Sequence, residues 1–189
     1  MNAMISEVIR AYREGKLTTA DLAGELRRGA EDGADCALSE GQRGIWALQA
    51  LHEDRGAYNV PLCFAVRELR MDALRQALRV LAQRYPSLGA AIRVIDGEPR
   101  CIQPAVATLE PVVSTLAEAL GAEAAAADEA AILAWLNRQA REPFALEDGP
   151  LCRVQVLELD GWRSARPAGE GRFDATWTIV ALHVHHLVL

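Results

Sequence analysis

Three of the chain's four histidines, His183, His185 and His186, fall in its closing stretch, ALHVHHLVL (181–189). An imidazole titrates near neutrality. It can therefore carry a proton in a reaction, bind a metal through a bare nitrogen, or order a core by hydrogen bonding through both nitrogens. Spacing sorts these uses. Side chains alternate along a strand, which puts His183 and His185 on one face and Val184 and His186 on the other. The adjacent pair cannot act as one cluster. His183 and His185 have the spacing of paired metal ligands, but a site needs at least a third donor. His52, beside Glu53 and Asp54, is a source by type, yet nothing requires it and no metal is expected. On an apolar strand the ordinary state of His183 and His185 is buried and bonded. For the third use, proton transfer at a strand end facing a cleft, His186 is the candidate, being on the opposite face and near the end of the run; spacing alone leaves the structural and catalytic uses both open.

The element that must carry these side chains is FDATWTIVALHVHHLVL (173–189), an almost uninterrupted apolar run expected of a central strand covered on both faces. LSEGQRGIWALQALHE (38–53) reads as a helix with Ser39 as N-cap and Ile45, Trp46, Leu48 and Leu51 at helical spacing. YNVPLCFAVRE (58–68) reads as a strand that Pro61 pushes to a sheet edge or strand start. The clearest helix is MDALRQALRVLAQRY (71–85), with Leu74, Leu78 and Leu81 on one face and Pro86 ending it. Asp96-Gly97 marks a hairpin. Residues 116–140 are Ala-rich and helical with a break near Gly121. PLCRVQVLEL (150–159) is a strand, and GWRSARPAGEGR (161–172) is a polar loop. At the front, residues 4–28 form a short helical hairpin. Gly15 ends its first segment, Thr18 or Thr19 caps the second, and residues 29–35 follow as a linker. Interleaved helices and strands predict an α/β layered domain.

The chain has 189 residues, 51% of them hydrophobic, and a net charge of −6 with both signs interspersed, so nucleic acid is not an expected partner. No apolar run approaches the roughly 20 residues that span a bilayer, and the N-terminus lacks a signal-peptide pattern. A cytoplasmic protein without a membrane partner is the expectation. Cys36, Cys63, Cys101 and Cys152 are widely spaced without a CxxC pair and read as buried free thiols.

HHLVL (185–189) resembles the start of HHxxxDG, the active-site motif of condensation domains from nonribosomal peptide synthetases and hybrid polyketide–peptide assembly lines. Three further segments are similar in the family's order. LSEGQRGIWAL (38–48) matches the first motif through Ser39, Gln42 and Trp46. RYPSLGAAIR (84–93) matches the RHExLR type, and PFALEDGPLCRVQVLEL (143–159) the PFDLexGPLxR stretch. Tyr85 and Gly89 depart from the second motif's His and Arg, whereas Arg84 and Arg153 are retained. The intact His pair differs from the cyclising branch, whose motif begins with Asp.

The resemblance implies a chloramphenicol acetyltransferase-like lobe with a mixed β-sheet packed with helices. Residues 1–34 would be a helical linker or docking segment, able through residues 4–28 to meet an upstream subunit, and 35–189 the N-terminal lobe. It further implies amide formation between an acyl or peptidyl thioester and an aminoacyl acceptor. Both arrive on phosphopantetheine arms of carrier proteins, and the domain binds no cofactor of its own. His186 and His185 carry over as the catalytic motif, His186 handling the amine and His185, with His183, supporting the strand. Arg84 and Arg153 are structural. Trp162 and Trp177 read as core or loop anchors. A coenzyme A-dependent acyltransferase lobe and a non-catalytic carrier-binding module remain alternatives. One lobe without its partner, ending before Asp-Gly, is expected to be inactive. The reading frame beyond the Leu189 codon is therefore expected to continue with Asp-Gly and a second lobe; sequencing it checks this, and a natural stop codon there would favour a non-catalytic lobe.

Overall fold

The computed structural model describes residues 10–21, 34–51, 54–159 and 176–189. Within them lie two sheets. A three-stranded antiparallel sheet has the order β1 (Ala34–Ala37), β4 (Glu98–Gln103), β3 (Ala91–Ile95). A four-stranded mixed sheet has the order β2 (Asn59–Arg67), β7 (Trp177–His185), β6 (Cys152–Glu158), β5 (Pro111–Thr115). Beyond the helical turns at 10–13 and 19–21, the helices that pack with these sheets are α1 (Glu40–Leu51), α2 (Met71–Arg84), α3 (Leu116–Leu120) and α4 (Glu129–Arg141), with 3₁₀ turns at Pro86–Gly89, Gly121–Ala126 and His186–Val188.

β7 is the centre of the larger sheet. It runs antiparallel to β2, from Asn59 opposite His185 to Arg67 opposite Trp177, and antiparallel to β6, with Cys152 opposite Val184. Its odd- and even-numbered side chains serve different cores. Val180 and Val184, with Val154 and Val156 of β6, pack against Leu78 and Ala82 of α2. Ile179 and Leu157 face Ile132 and Trp135 of α4, with Leu116 of α3. A third cluster joins Leu38, Ile92, Cys101, Phe144, Leu151 and Leu187, and so ties the small sheet to the end of β7. Both faces of the terminal strand are covered, as its unbroken apolar run predicts.

Local signals place the elements. Ser39 and Gln42 form a capping box on α1: the Gln42 N–H donates to Ser39 Oγ (3.2 Å), and the Ser39 N–H to Gln42 Oε1 (2.8 Å). Asp96 (φ 52°) and Gly97 (φ 80°) both adopt the left-handed conformation that a two-residue hairpin turn demands. Thr18 caps the second N-terminal helical turn, accepting from the Asp21 N–H at 3.2 Å. Pro61 sits on β2, an edge strand, where its missing N–H costs no ladder bond.

Several expectations change. The segment read as a linker contributes β1 from Ala34 onward, and residues 111–115 form β5, parallel to β6. Neither strand is flagged by a hairpin turn such as Asp96-Gly97, and each is held by pairing with a strand remote in sequence. The terminal strand stops at His185, so His186 opens a 3₁₀ turn. Of the four free thiols only Cys101 and Cys152 are buried. Cys36 is half-buried, and Cys63 lies exposed on the β2 edge with Leu62 and Phe64. The remainder of the 4–28 hairpin, the loop 161–172 with Trp162, and His52 lie outside the described residues.

Gly149, in the GPLxR segment, has φ +64°, and a Cβ there would sit 2.6 Å from the Ala90 carbonyl oxygen. The neighbouring Ile92 N–H donates to Leu146 O at 2.7 Å, so this segment lies tight against the start of β3. Gly149→Ala is expected to cost roughly 2 kcal/mol or more in urea unfolding. Gly97→Ala, with open space around it and only backbone strain to absorb, should cost about 1 kcal/mol.

Candidate active site

The histidines divide by environment. His183 and His185 are both 0% exposed. His186, the first residue of the turn, is exposed, and its backbone N–H donates to Tyr58 O at 2.9 Å.

His185 uses both ring nitrogens. Nδ1 accepts from the Leu187 N–H at 3.2 Å, and Nε2 lies 2.6 Å from Gln49 Oε1. A backbone N–H can only donate, so Nδ1 is bare and the ring proton sits on Nε2, directed at the Gln49 carbonyl. The edge of the Phe144–His185 pair closes the ring in, with centroids 5.9 Å apart at 86°. Burial, and secondarily the charge of neighbouring His186, push the His185 pKa down to about 4.

His183 is held differently. Its Nε2 meets Gln155 Oε1 at 3.0 Å, and Gln155 Nε2 donates to Gln139 Oε1 of α4 at 2.6 Å. Its Nδ1 is buried with no hydrogen-bond partner. Burial first, and then the Arg153 guanidinium, lower its pKa. With one Nε2 bonded to Gln155 and the other to Gln49, the two rings are not arranged as a ligand pair. Among the described residues no group of three or more His, Cys, Asp or Glu side chains is placed to hold a metal.

Arg153 anchors the surrounding frame. Its guanidinium stacks over Phe144 at 4.1 Å and donates to Pro143 O (3.0 Å) and Glu142 O (2.5 Å), just past the C-terminus of α4. Asn59, opposite His185, adds donation to Ala140 O (2.9 Å) and Glu142 O (2.8 Å). The helix-end carbonyls are thus met by a cation and an amide beside the histidine strand. Arg84, by contrast, is exposed and rests over the Tyr85 ring at 5.8 Å. The Gly89 departure has a steric basis: a Cβ there would lie 2.9 Å from Ala107 Cβ, leaving no room for an arginine. Trp177 is half-buried against the α4 core, with Arg67 over its ring at 4.6 Å. Trp46, Gln49, Phe144, Arg55, Glu147 and Asp148 line a cavity of about 430 Å³ beside His185.

Sequence reasoning did not single out Gln49, Asn59 or Gln155. Their partners lie 136, 81 and 28 residues away for the bonds to His185, Ala140 and His183. Gln49 did carry one usable sign: it is seven residues from Gln42 on a helix whose other inward positions are apolar.

A mixed sheet sandwiched by helices, with a histidine pair at the end of its central strand, defines the chloramphenicol acetyltransferase-like α/β class. Residues 34–163 match the family model described as condensation domain, a stretch that ends before the histidines. The chain is 34% identical over 122 residues, 64% of its length, to polyketide synthase PksN of Bacillus subtilis, spanning 2% of that protein. It is 32% identical over 161 residues, 83% of its length, to phosphinothricin tripeptide synthetase PhsC of Streptomyces viridochromogenes, spanning 14% of that protein. Among solved structures, the starter condensation domain of rhizomide synthetase aligns with 82% of this chain at TM-score 0.58 and 22% identity; the chain spans 33% of it. A four-domain nonribosomal peptide synthetase with AMP and glycine bound aligns with 82% of the chain at TM-score 0.62 and 19% identity, and the chain spans 10% of it. The chain belongs to the condensation domain family.

The depressed imidazoles give a pH test. The folded His185 pKa, about 4, lies below its ordinary 6.5, so between those values the unfolded chain binds a proton that the fold rejects. His183 acts in the same direction. Stability is therefore expected to be flat with respect to these groups above pH 6.5 and to fall as pH drops toward 4, by up to about 3 kcal/mol for His185. Urea midpoints at pH 7, 5.5 and 4 check this; constant midpoints would place His185 in water.

Proposed function

We propose that residues 35–189 are the N-terminal half of a domain that joins a carrier-bound acyl or peptidyl thioester to the amine of a carrier-bound aminoacyl group. Phosphopantetheine arms on the carrier proteins deliver both substrates as thioesters. The lobe needs its C-terminal counterpart to complete the site and is inactive alone. Residues 1–34 serve as a helical linker able to dock on an upstream subunit, and the whole works in the cytoplasm. Among the described residues no helix is long and apolar enough to cross a membrane.

One observation carries the assignment of the site. Two adjacent histidines at the end of the central strand are sorted into opposite states: His185 is fully buried with both nitrogens engaged, and His186 is exposed. The chemistry divides accordingly. As the amine nitrogen attacks the thioester carbon, the C–N bond forms and the carbonyl electrons move onto oxygen. Collapse of that oxyanion breaks the C–S bond, and the sulfur leaves to be protonated as thiol. The attacking nitrogen must shed a proton along the way, and His186 is the imidazole free to receive and relay it. His185, neutral and bonded on both sides, supports the turn and takes no proton.

The experiment is an amide-forming assay with the intact domain, loaded donor and acceptor carriers, and mass-spectrometric detection. His186→Ala is expected to lower turnover roughly 100-fold or more, while the lobe alone gives no product. Turnover with acyl-coenzyme A but not with acyl carrier would replace this function with a coenzyme A-dependent transfer. Carrier binding without turnover, with the second lobe present, would leave a docking module.

A further inference from the structure

We propose that Gln42 and Gln49, two turns apart on α1, form a clamp that sets the position of His186 and so act as positioning residues for the reaction. The inference rests on the role given to His186 above. Seven residues apart, the two side chains project from one face of the helix, toward the end of β7.

Each grips a different part of the turn that displays His186. Gln42, whose Oε1 already belongs to the capping box, donates through Nε2 to Leu187 O at 2.7 Å. Gln49 accepts the His185 ring proton at 2.6 Å, and the same ring accepts the Leu187 N–H. The peptide groups on both sides of Leu187 are thus fixed from α1, one directly and one through the imidazole. On the near side of His186, its own N–H is held by Tyr58 O and the His185 N–H by Leu151 O, both at 2.9 Å. The backbone of His186 is bonded before and after, while its ring is left exposed.

Burial makes Gln49 a costly residue to keep for packing alone. It is 5% exposed, and a buried amide is tolerated only when its groups are bonded. Its carbonyl meets His185, and its amide reaches Arg55 O only at 3.4 Å. The strong bond is the one to the histidine. Leucine would fill the same volume without leaving a polar group to satisfy, but it would leave the ring proton without an acceptor and the His185 ring free to flip or change tautomer.

The test uses the intact domain with both loaded carriers, and nitrogen NMR of the histidine rings in the 189-residue chain. Gln49→Leu is expected to lower kcat about 10- to 100-fold with KM for the acceptor carrier unchanged. It should also move the His186 ring signals. Gln49→Glu, which keeps an acceptor at the same place, is expected to retain turnover within a few-fold and to raise the pH at which His185 titrates. Gln42→Leu should lower kcat in the same sense, by loosening Leu187. Unchanged kcat and unchanged His186 signals in Gln49→Leu would overturn the clamp. If Gln49→Leu does not fold, Gln49→Glu and the unaltered chain decide: a wild-type His185 protonated on Nδ1, or a Gln49→Glu chain in which His185 titrates as before, overturns it. Failure of the unaltered domain to form amide would instead reject the function, and the NMR comparison would still judge the clamp.

Discussion

A fully desolvated imidazole loses stability for each nitrogen left unbonded, and much of this structure follows from both nitrogens being bonded at His185. A buried polar group without partners costs on the order of 1–3 kcal/mol, a sizeable share of a domain's net stability. Meeting it draws in a glutamine from α1 on one side and the backbone of the terminal turn on the other. The ring is left neutral, in one tautomer, with Phe144 against its edge. A helix from early in the chain is thereby tied to the last residues of the strand by a contact that tolerates little displacement, since hydrogen bonds weaken steeply off-axis.

The remaining architecture keeps that contact in register. α2 and α4 cover opposite faces of the larger sheet, and the small sheet closes its end through Ile92, Leu151 and Leu187. Arg153 and Asn59 converge on Glu142 O, so the C-terminal end of α4 is held by the two strands flanking β7. His183 shows what the same strand does without a complete set of partners. One nitrogen is bonded through Gln155 to α4, the other is orphaned, and its proton affinity is lowered as well.

Most of this frame is legible in the sequence, because long periodic segments declare themselves. The helix over 71–85, the Asp96-Gly97 turn, the Gly121 break and the central character of the last strand all follow from local rules. β1 and β5 do not, being held by pairing with strands remote in sequence. Alternation puts His183 and His185 together on the face turned away from Val184, and both are buried there. It could not reveal that His186 has left the strand, since the turn is fixed by bonds from Gln42, Tyr58 and the His185 ring. The retained motif residues were readable as signatures. Ser39 was readable as a cap as well, whereas the bond from Gln42 to Leu187 and the work of Arg153 as stack and helix-end anchor became visible only with the fold.

The order of the strands also bears on how the molecule is made. β7 is the last of the described strands in sequence yet lies between β2 and β6, both of which emerge from the ribosome before it. Until it arrives, those two strands have no shared neighbour, and their facing edges stand open. Pairings across such long separations are slow to form, and open edges are where nascent chains stick to one another. Insertion of β7 ends that exposure and, in the same event, brings the histidines to α1. Closure of the larger sheet and arrival of the histidines at α1 are therefore a single step, and a ribosome-stalled chain lacking residues 177–189 would be both unfinished as a sheet and prone to capture by chaperones.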